Sequence, residues 1–460
     1  MKQIIIARGW AKKSIALFAV SFLLSQLVFA QSADESFKKI PPALLRQDFL
    51  VLRDTLQKIH PSLYRYNRKA AVDHVFDSCF AAIRDSMPVT DFYALTSFAI
   101  AAIEDGHANC RLPRQTLNDY TGNVKVFPAM LLFIHNKAFI FCCKQNGQLA
   151  ETELLSINGR SMEEIIQHLF GYITTDGSIQ SRKNWEMPEN FQLLYNIIYG
   201  TKDSFDIRYK TIAGEIKTAD LQPDLVKNIF CRNPFPRPNK YLQLSYEPGN
   251  IAVLTVKTFF DGFLQQTHED FKQFLDSAFN DIKDKKVEKL VIDVRSNQGG
   301  NDENGELLYS YLTQKPFLYY ASQETINEKF TELSHPNLGQ QQPKENNFKG
   351  KVYVLINGRS FSAAAEFSSI VRSNNRGLFI GEECGGGYYG NTSGDEAMVT
   401  LPHTQITARI PMVKYTLAVK KAKYNDRGVI PDYPVYPTIS DIVENKDGQM
   451  EYALKIAGAN

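Results

Sequence analysis

Tyr353-Val-Leu-Ile-Asn-Gly-Arg-Ser-Phe-Ser362-Ala-Ala-Ala-Glu366-Phe367 carries the decisive pattern. The apolar run reads as a buried strand and stops at Asn357-Gly358, a turn signal. An alanine-rich helix then opens at a serine. A helix N-terminus leaves backbone N–H groups unpaired, and its dipole favours negative charge. A serine nucleophile needs such a place, because its tetrahedral intermediate carries an oxyanion. The competing reading makes Ser360 or Ser362 an ordinary helix N-cap.

The same alternation extends on both sides. Ile251-Ala-Val-Leu-Thr-Val and Lys289-Leu-Val-Ile-Asp-Val read as strands, and 268–283 and 303–312 as helices. After 352–356 and the helix 363–372 comes Leu378-Phe-Ile, again a strand. Strands alternating with helices imply a largely parallel α/β layer from 241 to 460. Ligands of such layers bind at the carboxyl ends of the strands. Two further glycine-bearing segments sit there: Asp293-Val-Arg295-Ser-Asn297-Gln-Gly299-Gly300 and Gly381-Glu382-Glu383-Cys384-Gly385-Gly386-Gly387. The first is either half of an oxyanion hole or a tight strand-to-helix turn. The second either lines a substrate cleft or is a surface loop. No Gly-Lys-Ser/Thr follows these glycines, so a phosphate loop is excluded.

Upstream the pattern changes twice. Residues 44–59, 70–86 and 89–104 carry apolar residues at helical spacing, giving a helical segment over 31–120. Gly106 fits the C-terminal end of the third helix. Residues 121–226 read as short strands, among them Leu154-Leu-Ser-Ile-Asn158-Gly159-Arg-Ser with an Asn-Gly turn and a capped helix. The Pro-rich stretch 228–240 reads as a linker. A serine needs a base. Of the 8 histidines, His107 stands apart because it follows Asp105-Gly106 at a helix end, in a junction between two of these segments. His60, before Pro61, reads as structural.

The chain has 460 residues and a formal charge of +2, so nothing electrostatic points to nucleic acid or an anionic membrane surface. Lys12-Lys13, an apolar run from Ser14 and Val28-Phe29-Ala30 describe a signal peptide over 1–30. The expectation is an exported protein, periplasmic or secreted, with no stable membrane insertion after cleavage. The six cysteines (Cys79, Cys110, Cys142, Cys143, Cys231, Cys384) have no metal-type spacing. Adjacent side chains in a strand point to opposite faces, so Cys142 and Cys143 are not expected to bridge each other.

Together these residues resemble the S41 peptidases, the C-terminal processing (tail-specific) and tricorn-core-like serine proteases. Asp105-Gly-His107-Ala, Asp293-Val-Arg295-Ser-Asn297-Gln-Gly299-Gly300, Ser360-Phe-Ser362-Ala-Ala-Ala-Glu366, Gly381-Glu382 and Gly428-Val-Ile-Pro431-Asp432 are similar to family motifs and run in family order. The resemblance spans about residues 45 to 436. It implies a multidomain α/β protein: a helical N-terminal subdomain, a PDZ-like module with a helical insertion (121–226) and a crotonase-like α/β catalytic core (241–460). It implies a serine endopeptidase acting on peptides, unfolded proteins or protein C-terminal tails. The implied nucleophile is Ser362 with Ser360 as alternate, the implied base His107, and the implied oxyanion donors Gly299, Gly300 and Ala363. No cofactor or metal is implied.

Two departures matter. The processing branch carries a lysine base in the glycine-rich segment after Gly-Glu. None stands in Glu383-Cys-Gly-Gly-Gly-Tyr-Tyr, which points to the histidine-using branch. In that branch a glutamate orients the histidine, and Asn425 occupies its position here. Asp426 and Glu382 are the remaining candidates. The alternative reading is a catalytically weak, peptide-binding relative.

Overall fold

The computed structural model describes residues 37–459. The expected signal peptide, 1–30, lies outside them. No helix among the described residues is long and apolar enough to cross a membrane.

The opening segment lies in a six-stranded sheet. Its order is Leu242–Glu247, Ile251–Val256, Lys289–Asp293, Lys351–Ile356, Leu378–Gly381 and Tyr433–Pro434. The first pair is antiparallel and the rest parallel. Both faces are covered, as a parallel sheet requires. Side chains alternate along each strand. Leu290, Ile292, Val354 and Ile356 meet Phe279, Phe367 and Ile370 on one face. Val291, Tyr353 and Leu355 meet Ala453 and Ala457 of the last helix, Gly448–Ala459, on the other. An all-apolar strand is thus the signature of a strand buried on both sides.

The long strand Thr407–Leu417 joins distant parts of the chain. It pairs with Thr392–Thr400, with Tyr320–Glu324 near its end, and with Asn109–Arg111 near its start. The helices Pro42–Ile59, Lys69–Ala82 and Val89–Ala101 close over this hairpin, burying Leu401, Ile406, Ala408 and Ile410 among Phe49, Leu52 and Ile100. Buried Asp48 accepts hydrogen bonds from His403 N, Thr404 N and Thr404 Oγ1 at the hairpin turn. Gly106 does not cap the third helix as expected. That helix ends at Ala101, and Glu104 takes the left-handed turn (φ 58°). Gly106 is needed because a Cβ there would lie 2.9 Å from the Phe361 ring.

A second six-stranded sheet holds Met130–Ile134, Lys137–Cys142, Glu153–Ile157, Phe205–Lys210 and Ile216–Leu221 in spatial order, with Arg160–Ser161 paired to Glu153–Ile157. Asn158 and Gly159, both at positive φ, make the two-residue turn, and Ser161 and Glu164 form a capping box for Met162–Phe170. The helix Gln180–Tyr199 packs Met187, Phe191 and Leu194 onto this sheet. Its first turn reaches the other sheet, where a Cβ on Gly358 would lie 2.3 Å from Ser181 O. The stretch read as a linker is tied down by a disulfide between Cys142 and Cys231. Cys143 is free and buried.

Candidate active site

The strand Lys351–Ile356 delivers the chain into a turn held from several sides. Asn357 Oδ1 accepts from Ser296 N (2.9 Å) and Arg359 N (3.0 Å). Ser360 is fully buried. Its Oγ donates to Val294 O (2.8 Å) and accepts from Asn357 N (3.1 Å), so this serine is consumed in holding the turn. Phe361 N donates to Asn297 O (3.0 Å). The chain then reaches Ser362 at φ 54°, ψ −129°, a conformation that costs a non-glycine residue ~1–3 kcal/mol. Ser362 stands at the N-terminus of Ala363–Ser373, yet its side chain makes no capping hydrogen bond. The N-cap reading does not describe it. A strained serine between strand and helix, with a free hydroxyl, has the form of a nucleophile elbow.

Gly299 packs directly beneath. With φ 90°, a Cβ there would lie 2.7 Å from Ser362 Cβ and 2.9 Å from Ala363 N. Its own N–H is spent on Asn297 Oδ1 (2.9 Å). Among the described residues, the N–H groups of Gly300 and Ala363 enter no hydrogen bond. Asn297 also donates Nδ2 to Val256 O (3.1 Å), and so locks the glycine segment and the elbow together. The neighbouring Asp293 and Arg295 are structural. Arg295 bonds Asp293 and reaches Asp447 and Gln449, while Lys257 pairs with Asp293, tying the strand end to the last helix.

His107 lines the same cleft as Ser362, a cavity of about 1160 Å³ that Gly106, Arg182, Gly300 and Glu366 also line. The strand Asn109–Arg111, which starts two residues after His107, fixes its segment to the long strand, with Asn109 opposite Arg409. The imidazole stacks on Phe361, ring centroids 4.5 Å apart. Its Nδ1 is buried without a hydrogen-bond partner, and no hydrogen bond joins His107 to Ser362 among the described residues. Burial pushes the His107 pKa below the usual histidine range. The charges of Asp176 and Asp105 oppose this, and Arg409 and Arg182 add to it. The imidazole is therefore neutral at neutral pH, the form a general base requires.

The carboxylates near His107 are neither of those singled out in the sequence. Asp426 accepts from Ser178 Oγ (2.7 Å), and its backbone O from Ser178 N (2.9 Å). Glu382 is buried and accepts from Trp185 Nε1 (2.9 Å). The residues grouped with His107 are Asp105 and Asp176, all three buried, with a ring nitrogen and one oxygen of each carboxylate within 4.8 Å of one another. Asp105 binds His60 Nε2 (3.0 Å), which gives His60 its structural task. Asp176 lies in Thr175-Asp-Gly-Ser178, between two helices of the middle segment. Nothing in that stretch marks it beyond a turn composition. One turn past Ser362, buried Glu366 lies 2.7 Å from Tyr320 Oη and accepts from Asn391 Nδ2 (2.6 Å). Burial, and then the charge of Asp302, push its pKa up to about 7.

Residues 250–435 match the model of peptidase family S41. This stretch is therefore similar to the S41 peptidases. The match covers the parallel sheet, the glycine segment and the elbow. Likeness of fold reaches further along the chain. Mature CPAF superposes with a TM-score of 0.63 at 14% identity, over 91% of this chain and 97% of that one. Mature CPAF complexed with lactacystin gives 0.62 at 14%, over 91% and 98%. A putative peptidase from Parabacteroides merdae gives 0.48 at 16%, over 91% and 97%.

Proposed function

We propose that this protein is a serine peptidase of the S41 type, cleaving peptide bonds with Ser362 as nucleophile and His107 as general base. The observation that carries the reading is the strained, uncapped Ser362 at a helix N-terminus, facing the cleft that His107 also lines. In the proposed cycle, neutral His107 takes the Ser362 proton as Oγ attacks the scissile carbonyl, and later protonates the leaving amine. The oxyanion forms beside the unused N–H groups of Ala363 and Gly300. Gly299 serves by lacking a side chain, which lets the backbone lie against Ser362. The imidazole must pivot off Phe361 or be drawn in by substrate to reach Ser362, since no bond joins them here.

The substrate we assign is an extended peptide or protein tail, which the size of the cleft accommodates. We read residues 121–226 as a PDZ-like module. Its Met130–Ile134 edge is already covered by the helix Gln180–Tyr199: Gln192 Nε2 donates to Ala129 O (2.9 Å) and Asn184 Oδ1 accepts from Asn136 N (3.3 Å). Peptide strand addition is therefore assigned to the outer edge of Ile216–Leu221. We also propose export, which the Cys142–Cys231 disulfide supports, because such bonds persist in oxidising compartments.

The test is cleavage of a fluorogenic peptide or unfolded casein by the purified protein. Ser362→Ala and His107→Ala each lower kcat by ~10³-fold or more. Activity retained in Ser362→Ala eliminates the assignment. The missing Ser362–His107 bond favours a second reading, a peptide binder with little catalysis, which predicts tight peptide binding with no turnover in the unsubstituted protein.

A further inference from the structure

We propose that Asp176, from the connection between Met162–Phe170 and Gln180–Tyr199, is the positioning residue that orients His107. The inference rests on the Ser362–His107 reading and supplies what it lacks, the acid. Five observations carry it. One ring nitrogen of His107 and one carboxylate oxygen each of Asp105 and Asp176 lie within 4.8 Å of one another, all three residues buried, a gap that a small ring rotation or one bridging water spans. His107 Nδ1 is buried and has no partner. Asp105 is committed elsewhere: one oxygen accepts from His107 N (2.8 Å) and Ala108 N (3.3 Å), the other faces His60 Nε2. Each Asp176 oxygen takes a single backbone bond, from Gly106 N (2.9 Å) and from Gly387 N (3.0 Å), so each keeps a free lone pair. Finally, the Asp176 backbone is braced. Gly177 N donates to Glu104 O (3.0 Å), and Ser178 N to Asp426 O. A Cβ on Gly177 would lie 2.3 Å from Asp426 O.

Asp426 and Asp176 therefore stand on two sides of one contact. The loop containing Asn425 and Asp426 supplies the buttress, and the opposing loop supplies the carboxylate. The Nδ1–H donates toward Asp176, which leaves Nε2 with the lone pair that accepts the Ser362 proton. When that proton arrives, the imidazolium faces Asp176 across a dry site, where a negative charge stabilises it. The charged groups around the ring are Asp176, Asp105, Arg409 and Arg182. Removing Asp176 takes away an anion and leaves both arginines, so the His107 pKa falls further.

The experiment is steady-state kinetics on the full chain, with near-UV circular dichroism and thermal melts as controls for folding. Asp176→Asn lowers kcat ~10²–10⁴-fold with little change in KM, and moves the acid limb of the kcat/KM profile to lower pH. Asp176→Glu, which keeps the charge, recovers at least about tenfold of the loss. The inference is overturned if folded Asp176→Asn keeps kcat within about threefold of the unsubstituted enzyme. It is equally overturned if Asp105→Asn, and not Asp176→Asn, moves the acid limb. Ser362→Ala, run alongside, separates the two levels: activity retained there removes the base and nucleophile assignment itself.

Discussion

Glu366 has a single proton problem that its neighbours make visible. Tyr320 Oη lies 2.7 Å from Glu366 Oε2 and 2.9 Å from Asp302 Oδ2, and a phenol has one hydrogen to give. A neutral Glu366 resolves this, because its own proton goes to Tyr320 and the phenol hydrogen to Asp302. Burial agrees, raising the Glu366 pKa to about 7 from 4.5. The folded state then binds this proton more tightly than the unfolded chain. Stability from Glu366 is fully present below pH 4.5 and is lost as pH rises through about 7, in total ~3 kcal/mol. Glu366→Gln flattens that slope, which urea titrations at pH 5 and pH 7.5 measure; an unchanged slope contradicts the assignment. At the same scale, Ser360 and Ser362 were indistinguishable as letters in a sequence. What separates them is burial and backbone angle, neither of which a residue type carries.

At the scale of elements, the strand–turn–helix at 351–373 was legible because its signals are local: an all-apolar run, Asn-Gly, then alanines. The glycine segment was legible for the same reason. The helix Gln180–Tyr199 had no such signature. It is polar over much of its length, carries Pro188 inside, and is held by the sheet rather than by its own propensity. Asp176 was illegible because its role exists only where three connections meet: Gly106, Gly387 and its own turn. The partner of the hairpin 392–417 carries no local signal. Asp48 of the first helix closes its turn with three hydrogen bonds from inside the core. Asp48→Ala leaves the two Thr404 donors buried and unpaired and the His403 N–H unpaired, and should cost about 3 kcal/mol in urea unfolding. A loss below about 0.5 kcal/mol would show that water replaces the carboxylate there.

Taken as a whole, the molecule builds one cleft from parts that the sequence presents as separate units. The helical segment gives His107, the middle segment gives Asp176 and Arg182, and the parallel sheet gives Ser362. The strand after His107 adds directly to the sheet of Thr407–Leu417, so this segment is fastened by backbone pairing as well as by packing. The middle segment is stapled by the Cys142–Cys231 bond, across 89 residues of chain. Closing so long a loop restricts the unfolded state, and its removal typically costs about 2–5 kcal/mol. Alkylation of the denatured, unreduced protein should modify the four free cysteines and spare Cys142 and Cys231. Reductant should lower the unfolding midpoint, and six alkylated cysteines without reductant would contradict the pairing.

On the proposed reading, Ser362 is an activated nucleophile served by His107. A fluorophosphonate probe reads this directly, since it reacts with activated serines. Peptide mapping by mass spectrometry should find one adduct, on Ser362, lost in His107→Ala. An intact, folded protein that takes no label, or takes it at Ser360, contradicts the account.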